Sequence, residues 1–141
     1  MKEFKLNNRT SVKGLIHQKT IDNLETEEEK KNYIEYRDKF DKASNFKKIY
    51  DYPIHIDLEI DNICNFACSF CPIGQPDTKL GKWYQTKKEI PKEKIFEIID
   101  ECKEIGVNSI QFSLVNEPLA NKNIFEILKY TTSKKFEDVF I

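Results

Sequence analysis

Apolar and polar residues alternate without a break over residues 54–61. Ile54, Ile56, Leu58 and Ile60 take one side, and His55, Asp57, Glu59 and Asp61 the other. A period of two predicts a strand. On an isolated strand the polar side faces solvent; in a barrel the same set points into the lumen. The period then changes. After Pro91, the residues Ile95, Phe96, Ile98, Ile99, Cys102 and Ile105 recur at helical spacing, and Gly106 supplies the stop. A second strand is predicted at 109–115, a second helix from 121–123 onward carrying Ile124, Phe125, Ile127 and Leu128, and the start of a third strand at 137–141. Strands alternating with helices of this length imply right-handed βαβ crossovers and a parallel sheet. Every strand-to-helix loop then falls at the carboxyl edge of that sheet.

Upstream, Thr26 and Glu29 have the spacing of a capping box. Tyr33, Ile34, Tyr36, Phe40, Ala43 and Phe46 follow at roughly helical intervals, predicting an amphipathic helix through Lys48 whose aromatic stripe serves packing. Tyr52-Pro53 ends it, because a residue before proline avoids the helical region. Residues 1–24 show no sustained periodicity and read as an extension, with turn-like Thr10, Ser11 and Gly14 and with Leu15 and Ile16 available for docking. His17 stands alone there and reads as a surface histidine. The division is an N-terminal extension over 1–50 and a second region over 53–141.

Composition narrows the class. The chain has 141 residues, 39% hydrophobic and 33% charged, with a net charge of −1. That balance suits a globular protein and offers no electrostatic footprint for nucleic acid or an acidic membrane. No run approaches the roughly 18 apolar residues of a membrane span. The N-terminus has no apolar signal region. The expected compartment is the cytoplasm, where thiols stay reduced.

Reduced thiols give the most chemically loaded stretch its meaning. Cys64, Cys68 and Cys71 form a C-x3-C-x2-C loop directly after the first predicted strand. Three thiolates so close can reach one centre. A [4Fe–4S] cluster normally takes four cysteines, so three leave one iron open to a ligand. A structural zinc site wants four protein ligands, usually as two spaced pairs, and the second pair is missing; His55 and Cys102 are the spare candidates, neither at the expected spacing. Cys102 lies on the apolar helix face and reads as a core thiol. A disulfide within the loop and a redox-sensing thiol are the remaining readings. The loop after the second strand carries Asn116-Glu117-Pro118, which topology brings to the same sheet edge.

The C-x3-C-x2-C motif with Phe70 before its last cysteine resembles the signature of radical S-adenosylmethionine (radical SAM) enzymes. Glu59-Ile60-Asp61-Asn62-Ile63-Cys64-Asn65 is similar to the approach to the cluster in many members, and Pro72 is common after the third cysteine, particularly in those with a SPASM or twitch extension. Residues 116–119 lie where the family places its second motif, often Gly-Gly-Glu-Pro; Val115 and Asn116 replace the two glycines, while Glu117 and Pro118 are kept.

The resemblance implies an α/β fold: the N-terminal part of a radical SAM partial TIM barrel, a parallel βαβαβ unit preceded by a helical extension. It implies that Cys64, Cys68 and Cys71 hold a [4Fe–4S] cluster whose fourth iron binds S-adenosylmethionine. The resemblance also implies that Asn116 and Glu117 lie by the methionine amino group, and the Phe70 backbone by the adenine. Reductive cleavage would give a 5′-deoxyadenosyl radical that takes hydrogen from a small-molecule or peptide substrate, with flavodoxin or ferredoxin as electron donor. A barrel of the TIM type needs roughly 250 residues, and 53–141 holds two βα units and a strand start. A truncated portion, inactive alone, is therefore expected. The alternative is a non-catalytic metal-binding module with structural zinc or a degenerate cluster.

Overall fold

The computed structural model describes residues 12–71, 75, 77–84, 86 and 88–141. Among them the chain is α/β, with three parallel strands in one open sheet, ordered β1 (His55–Asp57), β2 (Ser109–Gln111) and β3 (Asp138–Phe140). The register aligns His55 with Ser109 and Asp138, Ile56 with Ile110 and Val139, and Asp57 with Gln111 and Phe140. Helices α1 (Val12–Asn23) and α2 (Glu27–Ser44) precede the sheet. Helices α3 (Lys79–Tyr84) and α4 (Lys92–Ile105) connect β1 to β2, and α5 (Ile124–Ser133) connects β2 to β3. This is the parallel βαβαβ arrangement expected of the first part of a partial barrel.

Alternation along the strands divides the sheet into two chemically distinct faces. Ile56, Ile110 and Val139 point to one side and join Ile60, Ile95, Ile99, Val107, Phe112, Ile124 and Ile127 in the main core with α4 and α5. Helix α4 stops where Gly106 takes a φ of 96°, a left-handed position at which its N–H caps the Cys102 and Lys103 carbonyls. Across the two helices, the Phe96 and Tyr130 rings stack 4.0 Å apart, and Asp100 binds both Tyr130 and Lys134.

The opposite face is polar: His55, Asp57, Ser109, Gln111 and Asp138, with Phe140. It does not simply face solvent. Helix α2 lies over its amino end, and the ring of Phe40 meets His55, which meets Phe140, at centroid distances of 5.9 and 6.0 Å. Tyr36 is 1% exposed, and burial raises its hydroxyl, with the neighbouring Ser109 side chain and Arg37 opposing the rise. The aromatic stripe of α2 therefore packs, and its partner surface is the polar side of the strands. Thr26 and Glu29 close the capping box at the start of α2, at 3.1 and 3.0 Å.

Some boundaries differ from the sequence reading. Helix α2 ends at Ser44 rather than Lys48, because Phe46 adopts a φ of 55° and turns the chain; Phe46 is 96% exposed, outside the stripe, as is Ile34. Strand β1 covers three residues of the alternating run; beyond it the chain stays extended, with Leu58 N–H donating to the Gln111 carbonyl (2.8 Å) and Ile90 N–H to the Ile60 carbonyl (2.9 Å). Part of the aperiodic 1–24 segment is helical (α1), held by Ile21 and Leu24 against Tyr33 and Tyr36. His17 is not a plain surface histidine: its Nδ1 lies 2.8 Å from the Tyr33 hydroxyl. Thr10, Ser11, Pro72 and the side chains of Leu15 and Ile16 lie outside the described residues.

Candidate functional site

The thiol loop begins where β1 hands over to an antiparallel partner. Asn62 N–H donates to the Lys88 carbonyl (3.1 Å), Lys88 N–H returns to Asn62 Oδ1 (2.7 Å), and Asn62 Nδ2 reaches the Thr86 carbonyl (3.0 Å). These bonds anchor the entry to a loop that has no regular structure of its own. Cys64, Cys68 and Cys71 are all free and half-buried. Cys71 N–H closes a turn on the Cys68 carbonyl (3.0 Å), and Gln75 Nε2 donates to the Ser69 carbonyl. Phe70 stands in that turn, 88% exposed.

The Asn116-Glu117-Pro118 loop meets this one directly. Glu117 N–H donates to the Ile63 carbonyl at 2.9 Å, one residue before Cys64. The Glu117 carboxylate accepts from Leu119 N–H (3.3 Å) and opens a short 3-10 turn at Pro118–Ala120. Asn116 is buried; its Nδ2 donates to Asp61 Oδ1 (3.3 Å), and its own Oδ1 is buried without a partner.

Two residues not singled out from the sequence as site residues lie at these loops, and Asp61 joins them. The carboxylate of Asp61 is 5% exposed and receives Ile63 N–H (2.9 Å), Asn116 Nδ2 and Asn121 Nδ2 (2.5 Å). Glu59 faces the backbone N–H groups of Val115 and Asn116; burial pushes its carboxyl up, those N–H groups oppose the rise, and Oε1 is buried with no partner. The alternation over 54–61 already set Glu59 and Asp61 on one side, which was the available signal. Nothing local marks Asn121. Beside Glu59, Trp83 and Tyr84 wall a cavity of about 210 Å³. The Tyr84 hydroxyl is pushed up by burial and by the charges of Glu59 and Cys71.

The spare zinc candidates lie elsewhere. Cys102 is buried in the main core, where burial raises its thiol. His55 is on the polar face, with Nδ1 2.7 Å from Ser109 Oγ and Nε2 3.2 Å from Asp57. Those residue types suggest a hydrolytic triad, but Ser109 is 0% exposed beneath Tyr36, so no substrate reaches its hydroxyl.

Among the described residues no three His, Cys, Asp or Glu side chains are gathered closely enough to hold an ion. By chemistry and placement the donors fit an iron–sulfur group: three unpaired thiols in one loop, at the carboxyl edge of a parallel sheet, beside a carboxylate loop and a buried acceptor without a donor. The family model of the Radical SAM superfamily matches residues 58–141. The match spans more than half of the chain and takes in both loops, and the chain belongs to that superfamily. Comparison with curated proteins and with solved structures returns no match. No helix among the described residues is long and apolar enough to cross a membrane.

Proposed function

We propose that this chain binds a [4Fe–4S] cluster through Cys64, Cys68 and Cys71 and presents it to S-adenosylmethionine. The observation that carries this reading is the bond from Glu117 N–H to the Ile63 carbonyl, which sets an acidic loop against the entry of a three-thiol loop. When bound, the group supplies one electron for reductive cleavage of the sulfonium C–S bond, yielding methionine and a 5′-deoxyadenosyl radical that abstracts hydrogen from substrate.

The residues divide the remaining work. The thiolates of Cys64, Cys68 and Cys71 ligate iron, and their number leaves one coordination position for a small molecule. Glu117 offers carboxylate and Asn116 amide oxygen, acceptors suited to an ammonium group. The exposed turn at Phe70 offers backbone groups to the edge of an adenine. Trp83 and Tyr84 shield the side next to Glu59. The same reading assigns a small-molecule or peptide substrate, a SPASM or twitch-type relationship, a flavodoxin or ferredoxin as electron donor and a cytoplasmic setting that keeps the thiols reduced.

Anaerobic reconstitution with iron and sulfide tests it. The expected product is brown, with about four irons per chain. Iron should be lost in Cys68→Ala and retained in Cys102→Ser, whose thiol belongs to the core. Stoichiometric, colourless zinc in place of iron would overturn the proposal in favour of a structural metal module.

A further inference from the structure

The buried carboxylate of Asp61 is bonded to three separate parts of the site. Ile63 N–H belongs to the thiol loop, Asn116 to the Glu117 loop, and Asn121 to the turn that leads into α5. A carboxylate is an acceptor only, so every bond here requires a donor from its partner, and all three partners comply. Asn121 has no freedom to reverse its amide, because its Oδ1 already accepts Asn123 N–H at 2.8 Å. The arrangement is therefore polar in one sense only, and charge-assisted bonds of this kind are stronger than neutral ones. The bond from Glu117 N–H to the Ile63 carbonyl lies directly beside it.

We propose that Asp61 is a positioning residue for the cluster site, its carboxylate holding the thiol loop and the Glu117 loop in one fixed relation. Its link to catalysis rests on the function proposed above; its role as a clamp does not. The clamp acts before any cofactor arrives, since all three bonds form within the polypeptide. It sets where Cys64 starts relative to Glu117, and hence where a ligand spanning both loops must fit.

Asp61→Asn tests the clamp with almost no change in size. An amide has one acceptor oxygen, so its NH2 must confront either the fixed NH2 of Asn121 or the donors Ile63 N–H and Asn116 Nδ2, and one side of the clamp is opened. The double variant Asp61→Asn/Asn121→Asp reverses the polarity and restores every bond: Asn at 61 donates to Asp at 121, which still accepts Asn123 N–H. Amide hydrogen exchange on the full chain is the readout. In Asp61→Asn, exchange at Ile63 and Glu117 should rise by roughly tenfold or more relative to core amides such as Ile99, and return to the wild-type rate in the double variant. Unchanged exchange at Ile63 and Glu117, or a rise no larger than at Ile99, would overturn the clamp.

On the cluster-loaded chain, S-adenosylmethionine binding, followed through the EPR spectrum of the reduced cluster, should weaken by roughly tenfold in the single variant and recover in the double. Equal binding in wild type and single variant would overturn the link to the site. A wild-type chain that takes up no iron would instead remove the proposed function, and the exchange result would still judge the clamp.

Discussion

Tyr36 carries a sharp test of how the N-terminal helices relate to the sheet. It lies outside the matched region, 1% exposed between α2 and the polar face of the strands. Its ring packs edge-on against Tyr33 and Phe40 at 5.9 and 6.2 Å, and its hydroxyl neighbours the Ser109 side chain and receives Arg37 Nη1 at 3.3 Å. Removing the ring in Tyr36→Ala takes away a buried aromatic and leaves a cavity, a loss of about 3–5 kcal/mol. Against a total stability of about 5–15 kcal/mol, that is a large fraction. For a chain of this size it corresponds to a fall in Tm of about 10–15 °C. Tyr36→Phe keeps the ring and removes only the hydroxyl. Ser109 retains His55 as a partner at 2.7 Å, so the loss should be near 1 kcal/mol. A double-mutant cycle of Tyr36→Phe with Ser109→Ala should give a coupling of at least about 0.5 kcal/mol. Urea denaturation followed by circular dichroism measures all four forms. A cost below about 1 kcal/mol for Tyr36→Ala would refute the docking of α2 on the sheet. So would a separate early transition for the N-terminal helices in the wild type.

Other substitutions probe single physical causes. Burial raises the Asp138 carboxyl above its ordinary value of 3.8, opposed by Arg37, the Val139 N–H and His55. A raised carboxyl favours its neutral form in the fold, so its cost appears as pH climbs through the folded value and is absent at lower pH. Asp138→Asn should therefore gain stability relative to wild type between about pH 4 and pH 7, read from urea midpoints; a gap that closes as pH rises would contradict this. Gly106 holds a φ of 96°, and an added Cβ would sit 3.2 Å from the Tyr52 ring. Gly106→Ala should cost about 1–2 kcal/mol or more in thermal unfolding, and a neutral or stabilised variant would contradict the left-handed cap.

Much of this protein was legible in local pattern because local pattern is set by local physics. A period of two at 54–61 and a period of 3.6 after Pro91 follow from which side chains must leave water, whatever the rest of the chain does. The cysteine spacing and the Glu117-Pro118 pair are likewise complete in the sequence. Strand-helix alternation then suffices to put both loops at one sheet edge, because parallel strands joined by crossovers leave no other choice. Element lengths were less readable: Phe46 falls on the helical period of α2, yet its positive φ ends the helix just before it.

What only the tertiary structure decided is what each polar residue meets. The polar side of β1 looks the same in sequence whether it faces water, a lumen or a helix; packing chose α2 for its amino end, which is why Ser109 and Tyr36 are buried together. Asp61 and Asn121 are 60 positions apart, and neither has a local partner that announces the other. A hydrogen bond between distant residues depends on the angle and depth at which three segments converge, and no periodicity encodes that. The sequence by itself determined which thiols, carboxylates and amides stand in the two loops. The fold decided that a buried carboxylate would hold the two loops carrying them together.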